Sequence, residues 1–142
     1  MIAGVASLQY LAREFPRMAF FAHPAMAGAA RIAPGLLLGK LFRLLGADAT
    51  IFPNHCGRFG YTPATCRALA ESARAPWLGL KPTLPVAAGG MTPERVGEML
   101  DFYGPDVMLL IGVGLLMHSE RVTRATREFT ATVAAHPRGL AR

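Results

Sequence analysis

The sequence predicts an α/β protein built on a parallel sheet, on two observations. Four short apolar runs recur along its 142 residues, and each is followed by a stretch with helical spacing. Strands that alternate with helices pair in parallel through right-handed crossovers, and strands covered on both faces read as continuous apolar runs rather than as alternation.

Each element has its own signal. An opening helix is expected over about Val5 to Glu14, and the first strand over Met18 to Ala22. Pro34 precedes a helical stripe of Leu37, Leu38, Leu41, Leu44 and Leu45 that Gly46 closes. The second strand is Ala49 to Phe52, with Asp48 a structural hydrogen-bonder at its start. Thr62 and Pro63 then open a helix whose buried side carries Cys66, Leu69, Ala70 and Ala73. Leu84 to Ala88 is the third strand. In the helix after it Thr92 is a cap, Pro93 takes the first position and Glu94 favours the positive end of the helix. Val96, Met99, Leu100 and Tyr103 fall on its apolar face, and Gly104 ends it. The fourth strand, Val107 to Ile111, belongs to an apolar stretch running to Met117 that reads as a buried strand and its loop. A last helix follows over about Glu120 to Ala134.

Composition excludes several classes. The net charge of +6 raises nucleic acid as a partner, but the arginines and lysines are scattered one or two at a time over predicted helices, with no basic stripe interleaved with aromatics. No nucleic-acid partner is expected. Cys56 and Cys66 form no metal-ligand or disulfide framework, which fits a reduced, cytoplasmic setting. The first residues lack the basic flank and apolar run of a secretory signal. The longest apolar stretch, Val107 to Met117, carries two glycines and falls well short of the about 20 residues that cross a bilayer, so no membrane partner is expected.

Spacing leaves two architectures open, a small open sheet or half of an eight-stranded barrel, which takes about 250 residues when whole. The placement of glycines suggests a phosphate cradle under either, and would fall on the phosphate site of a barrel if the last two strands were a barrel's last two. Gly89 and Gly90 follow the third strand directly, and Gly112 and Gly114 follow the fourth around Val113. Glycine lets the backbone approach a ligand, and free N–H groups there hold a phosphate without a charged side chain. Barrel phosphate sites are built from the loops after the last two strands.

The strings Leu36 to Asp48, Pro53 to Phe59 and Leu84 to Met91, with the segment through Gly112 and Gly114, resemble RuBisCO-like proteins, in the family's order, from Met18 to about Arg127. The resemblance implies the C-terminal half of a TIM (β/α)8 barrel. Residues 1–16 are then the fourth helix, 17–46 the fifth strand and helix, 47–76 the sixth pair, 83–104 the seventh and 106–135 the eighth. It implies that Gly89, Gly90, Gly112, Val113 and Gly114 hold a substrate phosphate, that His23 is an active-site histidine, and that Arg58 takes the place of a mobile-loop lysine.

The departures narrow the expectation. Pro24 and Ile51 stand where the family's carboxylases have an arginine and a histidine for the second phosphate, and Ala88 replaces a substrate-binding serine. Arginine is a planar fork and lysine a point charge, so Arg58 is not an equivalent of the lysine. The expected substrate is a sugar monophosphate, without carbon fixation. The implied chemistry is a Mg2+-stabilised enediolate, with a base removing the adjacent proton. A 3-oxo-isoapionate-4-phosphate decarboxylase or transcarboxylase/hydrolase type is expected first. A methylthio-pentulose-phosphate isomerase or enolase, or a non-catalytic half-barrel that binds a phosphorylated metabolite, stands as the alternative. The family's Mg2+ ligands lie on the second barrel strand, so none is expected here. The resemblance also implies a homodimer for the full-length parent, and a truncated or mis-started reading frame, inactive alone, for this chain.

Overall fold

The computed structural model describes residues 4–24, 32–57, 59–117 and 122–137. Its strands are β1 (Phe21–Ala22), β2 (Ala49–Pro53), β3 (Leu84–Ala88) and β4 (Met108–Leu110), all parallel and in the order β1-β2-β3-β4. This is the predicted α/β arrangement: consecutive strands are neighbours, as successive strands of a barrel wall must be. The helices are α1 (Val5–Glu14), α2 (Pro34–Leu36), α3 (Phe42–Leu44), α4 (Pro63–Arg74), α5 (Val96–Tyr103), α6 (Val113–Met117) and α7 (Val122–Ala135). Among the described residues no helix is long and apolar enough to cross a membrane.

Register and alternation divide the sheet into two faces. Ala22, Thr50, Phe52, Pro85, Ala87 and Leu109 share the face under the helices, where Phe52 and Ala87 join Cys66, Leu69, Ala70, Met99 and Tyr103 in one core. Phe21, Ile51, Val86, Met108 and Leu110 share the other. The continuous apolar runs predict cover on both faces, yet Phe21 and Leu110 on the outer strands are 48% and 43% exposed. That is the inner wall of a barrel of which this chain holds four strands.

Two helices follow the sequence closely. Cys66, Leu69, Ala70 and Ala73 are the buried residues of α4, whose Thr62 hydroxyl accepts the Thr65 N–H at 3.1 Å. Val96, Met99, Leu100 and Tyr103 are those of α5, with Gly104 at its C-cap. Thr92 occupies the N-terminal position of the Pro93–Arg95 turn but makes no side-chain cap. That turn is a 3-10 turn, which a backbone bond from Arg95 N–H to the Thr92 carbonyl closes at 3.1 Å.

The leucine stripe is corrected. Between α2 and α3 the helix widens to a π turn over Leu37–Leu41, which inserts a residue and rotates everything after it. Phe42 and Arg43 turn inward in place of the expected Leu44, which is 49% exposed. The extra width lies where Gly39 meets α4, since a Cβ on Gly39 would stand 2.5 Å from the Ser72 hydroxyl. A second correction concerns Val113–Met117, expected as loop, which is the short helix α6. Asp48 bonds as expected, its carboxylate accepting the Phe20 N–H at 3.0 Å.

Candidate phosphate-binding site

The loops after β2, β3 and β4 interlock at the C-terminal edge of the sheet. Gly89 and Gly90 both have left-handed φ, at 82° and 66°. A Cβ on Gly90 would lie 2.8 Å from the Gly57 Cα, and one on Gly114 2.6 Å from the Met91 carbonyl oxygen. Gly57 in turn would carry its Cβ to 3.2 Å from the Gly89 carbonyl oxygen. Gly57, Gly90 and Gly114 therefore fill the contact between the three loops. Gly89 and Gly112 do not: a Cβ at either meets nothing within 4 Å. They border open space, and Gly89 is demanded by its backbone twist alone. Successive amides in such a twist form the concave backbone that binds anions.

A buried polar cluster supports these loops. The Asn54 N–H donates to the Ala88 carbonyl at 2.7 Å, and its side-chain amide reaches the sulfurs of Met91 at 3.3 Å and Met99 at 3.0 Å. Tyr103 donates its hydroxyl to the Asn54 side-chain oxygen at 2.7 Å, and burial pushes the Tyr103 phenol far above its ordinary range. His55 is buried against Phe102, with ring centroids 4.7 Å apart. Its Nδ1 faces the Cys56 sulfur at 3.5 Å, while its Nε2 is buried without a hydrogen-bond partner. Burial first, and the nearby Arg95 guanidinium second, hold the His55 pKa below its ordinary value.

Arg95 ties the glycine loop to α5. Its Nη1 donates to the Gly90 carbonyl at 2.8 Å, and its Nε and Nη2 each meet a Glu98 carboxylate oxygen at 2.9 Å. The sequence reading missed both Arg95 and Asn54. The i, i+3 spacing of Arg95 and Glu98 was the available signal, though that spacing alone describes many exposed helix pairs.

The expected site residues are distributed as follows. His23 is the first residue beyond β1 and is exposed. Gly89 and Gly90 follow β3, while Gly112, Val113 and Gly114 lead from β4 into α6, with Val113 71% exposed. Arg58 lies outside the described residues. Ile51, which the resemblance sets at the position of a second-phosphate histidine, is within β2. Among the described residues no group of three or more His, Cys, Asp or Glu stands together to hold a metal. The Mg2+ that the resemblance implies finds no ligand set among them.

Parallel strands joined by helices, with the glycine loops at their C-terminal ends, make an α/β half-sheet, and its structural neighbours are TIM-barrel proteins whose C-terminal half it matches. No family model matches the chain. It is 60% identical over 136 residues to ribulose bisphosphate carboxylase-like protein 1 of Rhodopseudomonas palustris, covering 96% of this chain and 37% of that protein. It is 58% identical over 134 residues to the 5-methylthioribulose-1-phosphate isomerase of Rhodospirillum rubrum, covering 94% of this chain and 36% of the relative. The crystal structure of a RuBisCO-like protein from Rhodopseudomonas palustris superposes with a TM-score of 0.86 at 49% identity, over 96% of this chain and 36% of that one. The chain belongs to the RuBisCO-like protein family. It spans a little over a third of the length of the relatives it matches, in their C-terminal part.

Proposed function

We propose that this chain supplies the phosphate-binding half of a RuBisCO-like enzyme that isomerises a methylthio-pentulose phosphate. The observation that carries the choice of reaction is the 58% identity, across nearly the whole chain, to a 5-methylthioribulose-1-phosphate isomerase. It favours this type over the 3-oxo-isoapionate-4-phosphate type expected first.

The proposed division of labour rests on the resemblance together with the placement of the described residues. The backbone amides of Gly89, Gly90, Gly112, Val113 and Gly114 hold one phosphate, and the open space beside Gly89 and Gly112 gives it room. Pro24 and Ile51 offer no charge to a second phosphate, which fits a monophosphate. His23, exposed at the end of β1, is the proton-transferring group of this half, with Arg58 as its cationic companion. An isomerisation moves a hydrogen within the molecule, so a residue that removes and returns a proton suffices, with nothing oxidised or released. A Mg2+ requirement belongs to the family reading and falls to residues other than those described here. A homodimer is proposed on the same resemblance.

The test is a chimera in which this chain replaces the aligned C-terminal part of the Rhodospirillum rubrum isomerase. The chimera is expected to isomerise 5-methylthioribulose 1-phosphate, and His23→Asn in it to slow turnover at least about tenfold, the lower range for a general acid or base. A folded chimera that binds the substrate without turning it over would leave the non-catalytic binding half-barrel as the reading. Activity on 3-oxo-isoapionate 4-phosphate alone would reinstate the first expectation.

A further inference from the structure

The glycine loop has a cost that its own sequence does not meet. Two adjacent glycines lose more conformational freedom on ordering than any other pair, so a Gly-Gly cradle is aimed only if something outside it fixes the peptide planes. The interlock with Gly57 limits where Gly90 can go, but steric contact alone sets no orientation for its carbonyl.

Arg95 provides that orientation. One edge of its guanidinium, Nε and Nη2, takes the two oxygens of Glu98 side by side, and the remaining Nη1 is directed at the Gly90 carbonyl oxygen. The Arg95 side chain is only 19% exposed while that of Glu98 is 52% exposed, so the arginine is the embedded partner and the carboxylate holds it from the solvent side. The carbonyl of Gly90 and the N–H of Met91 belong to one peptide plane. Fixing that oxygen fixes the plane between Gly90 and the residue whose own carbonyl meets Gly114. One side chain thus sets the register between the third and fourth strand-end loops.

We propose that Arg95, seated by Glu98, is the positioning residue of the phosphate cradle. Through the Gly90 carbonyl it fixes the Gly90–Met91 peptide plane, and so anchors the end of the turn from which the Gly89 and Gly90 amides are presented, before the phosphate binds. This rests on the reading of that turn as phosphate-binding. The contribution comes from the fork geometry rather than from positive charge: a lysine at this position has one ammonium and cannot engage Glu98 at two points while reaching Gly90.

The experiment measures inorganic phosphate binding by the full chain, by calorimetry and by amide chemical shifts. It compares the unaltered protein with Arg95→Lys, Arg95→Gln, Glu98→Gln and, as an exposed control, Arg124→Gln on α7. Both Arg95 variants are expected to weaken phosphate binding at least about tenfold and Glu98→Gln several-fold. Amide exchange is expected to rise at Gly89 to Met91 and not in α4, with Arg124→Gln unchanged. Wild-type affinity in Arg95→Lys would overturn the proposal, because charge without the fork would then suffice. If Arg95→Gln does not fold, Arg95→Lys and Glu98→Gln decide. A folded, unaltered chain that shows no phosphate-dependent shift at any of the five cradle amides overturns the phosphate reading itself, and this inference with it. Binding that persists equally in all variants overturns the Arg95 role alone.

Discussion

Tyr103, the last residue of α5, donates its hydroxyl to the side-chain oxygen of Asn54 at 2.7 Å, and so fastens the loop after β2 to a helix two crossovers further on. Asn54 is 1% exposed, and its amide nitrogen has only methionine sulfurs as side-chain partners. Tyr103→Phe keeps the ring and its edge-on contact with Phe52 while leaving a buried oxygen unsatisfied. The expected loss is about 1–3 kcal/mol, the cost of one orphaned buried acceptor, read from the urea midpoint. A change below about 0.5 kcal/mol, less than a typical net hydrogen bond, would mean that Asn54 finds another donor.

Arg43 is the companion case on the far side of α4. It is 4% exposed and donates to the backbone carbonyls of Ala75 and Lys81 at 2.7 Å each, and to that of Leu80. A cation buried among carbonyls pins the connection between α4 and β3, which has little regular structure of its own. Arg43→Met is expected to destabilise the chain by about 1.5–3 kcal/mol, the range for a hydrogen bond to a charged group, and to open residues 75–81 to proteolysis. Arg43→Lys is expected to recover only part of this, having no fork to span the three carbonyls.

The two cradle glycines make different predictions despite their adjacency. At Gly89 an added methyl group enters open space, so Gly89→Ala costs only the left-handed backbone, about 1–2 kcal/mol. At Gly90 the same methyl group meets the Gly57 Cα at 2.8 Å, and backbone cannot swing aside as a side chain can. Gly90→Ala is therefore expected to be the more destabilising of the two in thermal melts, and to displace the loop after β2 as well. Equal losses at both positions would contradict the interlocked arrangement.

Much of this was legible in the sequence because local chemistry and global fold agree. Thr62-Pro63 and the Cys66, Leu69, Ala70, Ala73 face predict α4 residue by residue, as Val96, Met99, Leu100 and Tyr103 predict α5. The leucine stripe held at Leu37, Leu38 and Leu41 and missed at Leu44, because the π turn over Leu37–Leu41 shifts the register after it and leaves no mark in helical periodicity. The apolar runs could not reveal that Phe21 and Leu110, on the outer strands of one sheet face, are exposed, since an inner barrel wall and a doubly covered sheet share the same composition. The glycines pointed to the site by their position after β3 and β4. What holds them did not: Arg95 acts through its reach to a carbonyl, and Asn54 through burial, both properties of the folded backbone.

His55 gives the pH dependence its sign. Burial and the Arg95 guanidinium lower its pKa from 6.5, while Glu98 acts weakly in the opposite direction. Below pH 6.5 the unfolded chain takes up a proton at this position that the folded chain still refuses, so the unfolded state binds more protons and stability falls as the pH falls. The loss begins near pH 6.5 and stops once the folded-state pKa has been passed; well above pH 6.5, His55 contributes no slope. His55→Gln removes the titration, so its stability is expected to decline less than that of the unaltered chain between pH 7 and pH 5 in denaturant titrations. Because Arg95 is the second cause of the shift, Arg95→Gln is expected to reduce the same slope in part. Parallel pH curves for all three proteins would mean that His55 is solvated in the folded state and that its unpartnered Nε2 finds water.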